Sequence, residues 1–394
     1  MGAVGGGGLA GPALYAAFDR FPAQKGAATH IGRFAGALLG AAGGGTLACL
    51  GGQGQPAYQR EGTVEIVRHL GEEPHPLDRA VRFGEQLSAL VASRRWGCAQ
   101  GRDPWSVLAL LDEGRTWGVV YEVNGLPSIE LAETHPEAAP VALARIARLE
   151  QRCLRAADWI VTPSAVTAAC LVGRGAEPSR VTVIPNGADV PALAPPRPAA
   201  APPGRYVVYA GALQRWQGVD VAVRALGRLA DLDVPLVLVT GANRVALRPL
   251  QRLAANLGVS HLVQVEQAAG PDEVAGWLAH AEVSLAPLRD TPRNTEQGCC
   301  PLKLIESMAA GTAVVASDLP VVRAEVTDGV HGRLVAPDRP ADLARAVRVL
   351  LDHPDVAARW GAAGRDHVVA HRSWAQAEQA LVAVHREVAA RRSG

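Results

Sequence analysis

Short apolar runs, separated by stretches whose apolar residues recur every third or fourth position, fill most of this sequence. The runs read as strands buried on both faces, and the stretches between them as amphipathic helices. In the first half the strands fall near Ala13 to Ala17 and at TLACL (46–50), VEIVRH (64–69), WGCAQ (96–100), WGVVYEV (117–123), WIVTPS (159–164) and VTVIPNGAD (181–189). Helices are expected from about Ala28 to Leu39, over 77–94, after Pro104, from Val141 to Ala157 and over 165–173. The second half repeats the rhythm with YVVYAG (206–211), a helix from Val219 to Leu229, PLVLVTG (235–241), LVQV (262–265), a helix from Asp272 to His280, and AEVSLAPL (281–288). A strand from Ala313 to Ser317 follows, then Asp328-Gly329 as a hairpin signal, the strand GRLVAP, and helices near 340–352, 354–369 and 373–390. Strand and helix alternating in this way predict parallel sheets covered on both faces, an α/β class with two doubly wound units.

The boundary between the units is set by PALAPPRPAAAPPG, 191–204, whose prolines make a semi-rigid extended connector. It separates 1–190 from 205–370, and 371–394 forms a last helix. Residues 1 to about 10 are Gly-rich and predicted to be disordered, with no charged start of a signal peptide. The apolar run from Phe34 to Gly52 is broken by Gly43, Gly44 and Gly45, so it divides into a helix end and a strand rather than a membrane span.

Composition narrows the function class. At 394 residues, 48% hydrophobic and 20% charged, the chain suits two globular domains. A net charge of +1 offers no field for nucleic acid or an anionic membrane. The six cysteines show no zinc spacing and read as reduced thiols of a cytoplasmic protein. Of the 39 basic residues only Lys25 and Lys303 are lysine, so those two positions are marked as needing a compact ammonium.

One stretch concentrates the chemistry. NTEQGCCPLKLIESMAAGTAVVASD, 294–318, runs from a loop through an apolar helix carrying Lys303 and Glu306 to a strand. A loop feeding a helix N-terminus presents unpaired N–H groups to an anion. The competing reading is an ordinary helix–strand unit with Lys303 and Glu306 as a solvated pair. Two further loops lie at strand ends, where ligands of open α/β sheets bind. One contains Lys25 and Gly26; the other follows Tyr121, Glu122 and Asn124, where Glu122 needs a partner such as Arg102 if it is buried.

Taken together, YAGALQRWQGVD, AEVSLAPL, GCCPLKLIESMAAGTAVVASDLP and DGVHGRLV, with FPAQKGAATHI, AADWIVTPS and VIPNGAD, resemble the GT-B glycosyltransferases, in particular the retaining family-4 enzymes that use sugar nucleotides. The resemblance spans nearly the whole chain. It implies two Rossmann-like domains facing across a cleft, the first binding an acceptor and the second a nucleotide sugar, with the C-terminal helices crossing back to the first. It makes Glu306 the ribose ligand and Gly298, Cys299, Cys300, Pro301 and Leu302 the loop meeting phosphate or sugar oxygens, with Gln297, Asn294 and Gly211 beside the donor. Lys303 and Arg215 are expected to neutralise the leaving diphosphate, and Lys25, Gly26, His30 and Arg102 to line the acceptor side.

Three positions depart from the family pattern. Gly298 replaces a glutamate that holds sugar hydroxyls, with Gln297 or Glu296 the nearest substitutes. Ala212 and Gln217 replace an arginine and a lysine. Asn124-Gly125 replaces a histidine–acid pair, which leaves Glu122 as the candidate acid/base. The implied reaction is same-face transfer with the leaving diphosphate as base, without a covalent intermediate or a required metal, because no acidic DxD pair sits at a strand end. The expected co-substrate is a UDP-, GDP- or dTDP-linked sugar with no permanently bound cofactor, the acceptor a soluble small molecule or glycan, and an oligomer is left open. Competing readings are a catalytically silent GT-B partner that binds a nucleotide, or another GT-B reaction such as a sugar-nucleotide epimerase.

Overall fold

The computed structural model describes residues 9, 11–23, 25–71, 73, 75–111, 114–191, 193, 195–267 and 270–393. The Gly-rich start falls, apart from Leu9, outside the described residues. An eight-stranded sheet comes first, in the order β3-β4-β2-β1-β5-β6-β7-β8. Its strands are β1 (Ala13–Arg20), β2 (Gly45–Leu50), β3 (Tyr58–Glu61), β4 (Val64–His69), β5 (Cys98–Gly101), β6 (Gly118–Glu122), β7 (Trp159–Thr162) and β8 (Val181–Val183). All pairings are parallel except β3 with β4. The second sheet, wholly parallel and six-stranded, runs β11-β10-β9-β12-β13-β14. It contains β9 (Val207–Ala210), β10 (Leu236–Val239), β11 (Val263–Glu266), β12 (Val283–Ala286), β13 (Val314–Ser317) and β14 (Gly332–Val335).

Each strand order reverses once, beside β1 in the first sheet and beside β9 in the second. The loops leaving those two strands therefore open at the switch points, where helices on opposite faces part and leave a crevice. The strands are apolar because helices cover both faces: every residue of β6, GVVYE, is buried. Helix starts are set locally. Proline occupies the first turn of Pro76–Ala92, Pro104–Leu110, Pro140–Ala156 and Pro354–His371, where its missing N–H costs nothing. Asp103 and Ser164 cap their helices by accepting from Ser106 N and Thr167 N.

The last helix, Trp374–Ser393, returns to the first sheet and gives Trp374, Ala377, Leu381, Val384 and Val388 to its core beside Ile31, Phe34 and Leu38. A Cβ on Gly118 would lie 2.3 Å from Val388 Cγ1, so this docking needs a glycine in β6. The two chain crossings between the sheets touch where Ala188 N donates to Arg372 O at 2.8 Å. Among the described residues no helix is long and apolar enough to cross a membrane.

Several elements differ from expectation. Asp328-Gly329 turns the chain but joins no hairpin, since β13 and β14 are parallel. Strand β3 is short, polar and mostly exposed, and so carries no apolar run. The helix Pro127–Thr134 buries no side chain, and Arg244–Asn256 contains Pro249. The first two lack the apolar signal that marks their neighbours, and the third has it, with Leu247, Leu250 and Ala254 buried, but carries an interior proline that argues against a helix.

Candidate functional site

The helix Leu302–Ala309 begins at Pro301, and its first turns lie against the end of β9. Lys303, only 9% exposed, reaches that strand end. Its Nζ donates to Tyr209 Oη at 2.9 Å and to Gln217 Oε1, and lies 4.3 Å from the centre of the Tyr209 ring. No carboxylate forms an ion pair with it among the described residues. Burial pushes its pKa down to about 7. Gly211 supplies the room, because at φ +142 a Cβ would sit 3.4 Å from the lysine Cε and Nζ. One helical turn on, Glu306 is half-buried, and burial raises its pKa against the opposing pull of Lys303. The site thus offers a desolvated cation and a nearby carboxylate at a helix start, fit for a phosphate and a pair of hydroxyls.

Gln217, where the resemblance leads one to expect a lysine, accepts from the Lys303 ammonium. Arg215, in the same short turn as Gln217, is exposed. Asn294 is buried and spends its amide on Trp216 O and Arg289 O, at 2.9 and 2.8 Å, which makes it a tie between loops.

Gln297 also differs from expectation. It is 0% exposed and turned away from the donor side; its Oε1 accepts from Leu126 N at 2.9 Å and its Nε2 donates to Glu130 Oε1 at 3.0 Å, both in the first unit. Both ends of its amide are thus engaged by the first unit. Gly298 has φ +80, and a Cβ there would meet Thr167 N at 2.8 Å, Thr167 Oγ1 at 2.9 Å and Val166 Cβ at 2.9 Å. The helix Ala165–Gly173 packs so closely on this loop that only glycine fits. Arg293 adds an ion pair to Glu130 at 3.3 Å and stacks over Trp216. Cys299 is half-buried and Cys300 buried, and burial raises both thiols above their ordinary range, so neither is a ready nucleophile. Leu302 packs on the core of the first sheet, and Gly26 admits it, since a Cβ there would lie 2.8 Å from Leu302 Cδ1.

Across the cleft, Glu122 is 2% exposed and already saturated. It accepts from Tyr15 Oη at 2.7 Å, Gln100 Nε2 at 2.6 Å, Arg102 Nε at 3.0 Å and Asn124 Nδ2. His30 Nε2 lies 2.9 Å from its Oε1, close enough for an ion pair though not aligned as a hydrogen bond. Burial alone would raise its pKa, but the charges of His30 and Arg102 and these donors outweigh burial and hold it at about 2. A carboxylate in this state takes up no proton near neutrality, which corrects its expected role as acid/base; Asn124, tied to it, is no freer. Arg102 is the anticipated partner and reaches Asp19 as well, at 3.5 Å. Lys25 is half-exposed and paired with Asp19. Tyr209, Asn186, Glu130 and Arg293 were not singled out as site residues from the sequence, and only the first two lie in motifs that resemble the family's.

Comparison with known proteins agrees with this geometry. Residues 204–353 match the family described as Glycosyl transferases group 1, and residues 25–191 match Glycosyltransferase Family 4. D-inositol 3-phosphate glycosyltransferase 1 of Catenulispora acidiphila is 30% identical over 295 residues, covering 71% of this chain and 68% of that protein. Of several relatives with the same activity in their names, the chain spans 58% to 60% of the length. Among solved structures, sucrose-phosphate synthase from Thermosynechococcus elongatus superposes with a TM-score of 0.79 at 19% identity, over 96% of this chain and 100% of that one. Anabaena HepE, solved in complex with UDP, superposes with a TM-score of 0.68 at 15% identity, over 94% and 98%.

Proposed function

This chain belongs to glycosyltransferase family 4 and has the GT-B fold, and on that premise we propose that it transfers a sugar, with retention, from a nucleoside-diphosphate sugar to a soluble small-molecule acceptor. The observation that carries the reading is Lys303, a buried ammonium with no acidic partner at the tip of β9, one turn from Glu306. A desolvated cation held by the neutral groups of Tyr209 and Gln217 and not ion-paired to Glu306 favours an anionic ligand, because no salt bridge has to be broken. The diphosphate would lie between Lys303 and the N–H groups of the loop 298–302, with Glu306 accepting from the ribose hydroxyls. As the sugar bond breaks, charge develops on the leaving phosphate, and a preorganised ammonium stabilises it there.

With Glu122 held ionised and fully hydrogen-bonded, the group best placed to take the acceptor's proton is a leaving-phosphate oxygen, as same-face transfer requires. The protein then acts by positioning and by stabilising charge. UDP is the first nucleotide to test, because HepE binds it. Inositol 3-phosphate is the first acceptor, because relatives carry it in their names. The test is release of nucleoside diphosphate from UDP-, GDP- and dTDP-sugars with and without acceptor. Release that needs both substrates supports transfer; binding without release supports a silent partner. Glu306→Ala should raise donor KM by about tenfold to a hundredfold, the value of one or two hydrogen bonds to a charged group. An unchanged donor KM removes Glu306 from the ribose site.

A further inference from the structure

Cys300, in the loop ahead of Leu302–Ala309, is held from both chain crossings between the sheets. Its carbonyl accepts from Asn186 Nδ2 at 2.8 Å on the outgoing crossing. Its thiol donates to Glu325 Oε1 at 3.7 Å, and Glu325 accepts from Arg372 Nε at 2.6 Å on the returning one. Asn186 is 7% exposed and has a fixed orientation. Because its nitrogen faces the Cys300 carbonyl, its oxygen must face His30 Nδ1, 2.8 Å away. Nδ1 therefore carries a proton. The other ring nitrogen lies 2.9 Å from the Glu122 carboxylate. Glu122 is anchored in turn by Tyr15, Gln100 and Arg102, and Gln100 Oε1 accepts from His385 Nε2 of the last helix at 2.7 Å. A continuous polar chain thus runs from the core of the first sheet to the backbone of the loop in the second unit.

We propose that Asn186 and His30 are positioning residues for donor binding: they fix the Cys300 carbonyl and thereby aim the N–H groups of the loop at the donor diphosphate. The physical reason is economy of orientation. The Cys300–Pro301 peptide has no N–H of its own, but fixing its carbonyl also fixes the backbone on either side, so the N–H groups of Cys300 and Leu302 are oriented before the ligand arrives and binding orders less backbone. The clamp draws on charge in the first unit, which links the acceptor side of the cleft to the donor loop without a side chain of either residue entering the donor site. This inference rests on the donor-site reading above.

Asn186→Asp is the discriminating variant, since it keeps an acceptor for His30 and removes the donor to Cys300. In ligand-free protein, hydrogen–deuterium exchange of the peptide covering residues 298–304 should speed by about tenfold, the worth of one buried hydrogen bond. Donor KM should rise by about tenfold while acceptor KM stays close to wild type. His30→Gln, which removes the ring Nδ1 donor to Asn186, should move exchange and donor KM in the same direction and serves if Asn186→Asp does not fold. Unchanged exchange in a folded variant, or faster exchange with unchanged donor KM, overturns the proposal. If the wild type binds no nucleotide sugar, the donor-site reading fails, and the exchange comparison still decides whether the clamp exists.

Discussion

At Lys303 the ligand-free ammonium lies beside Tyr209 and Gln217, and burial brings its pKa to about 7. A bound diphosphate favours the charged form and raises that value. Affinity is therefore full below about pH 7 and falls as pH rises through it, approaching tenfold per pH unit until the bound-state pKa is reached. Calorimetric titration with UDP between about pH 6 and 9 checks this. Lys303→Arg, charged throughout, should flatten the profile, and a flat wild-type profile would take the lysine out of the donor site. Glu122 carries the opposite sign. Held at about 2 when folded, against 4.5 ordinarily, it adds stability that is present above the ordinary range and lost as pH falls toward 2. Glu122→Gln leaves His30 and Arg102 without their counter-charge and should cost about 3–5 kcal/mol of stability. The expected result is a lowered unfolding midpoint with residual turnover at low temperature. A stable variant with no turnover would restore Glu122 as a participant in chemistry.

The loop and helix from Arg293 to Ala309 are the element on which the proposed donor binding turns. Residues 293–297 form one wide π-type turn, and from it Gln297 and Arg293 reach the first unit. Gly298 follows in a conformation that disfavours a side chain, under Thr167 N and Val166. Gly298→Ala should therefore destabilise the protein by about 1–3 kcal/mol through the positive φ and the forced separation of the helix Ala165–Gly173. Gly298→Glu, which restores the residue other family members resemble, should be worse, not better, for stability and for donor KM. Thermal unfolding with and without UDP tests both variants. A stabilised, more active Gly298→Glu would show that the close packing of this loop is dispensable. The pattern of neighbouring residues could not reveal this, because the helix that excludes a side chain at Gly298 lies more than a hundred residues away in sequence.

At the scale of the molecule, two sheets are joined by two crossings, and the last helix completes the core of the first sheet. Leu381 is fully buried there, with Val384 and Val388 nearly so. Each large apolar side chain of this kind contributes roughly 1.5–3 kcal/mol. Truncation after His371 should therefore expose a broad apolar face on the first sheet and remove His385 from Gln100. The expected outcome is insoluble or aggregating protein, measured by light scattering and recovery in the soluble fraction. A soluble truncated chain that still binds UDP would show that the two units fold separately.

The sequence by itself determined the class of fold, nearly all the strands and the donor helix, because apolar periodicity and helix starts at proline are local properties. It also singled out Lys303 and Glu306, since lysine is so rare in this chain and the motif around them resembles the family's. Tertiary structure alone decided which polar groups remain free. Arg215 lies in the right loop but is exposed; Gln297 has the right chemistry but is turned to the first unit; Glu122 ends the right strand but is already occupied by four donors, with His30 close by. Each of those outcomes depends on a partner distant in the chain, and hydrogen bonding and desolvation are set by that partner's position, not by the residue's own identity.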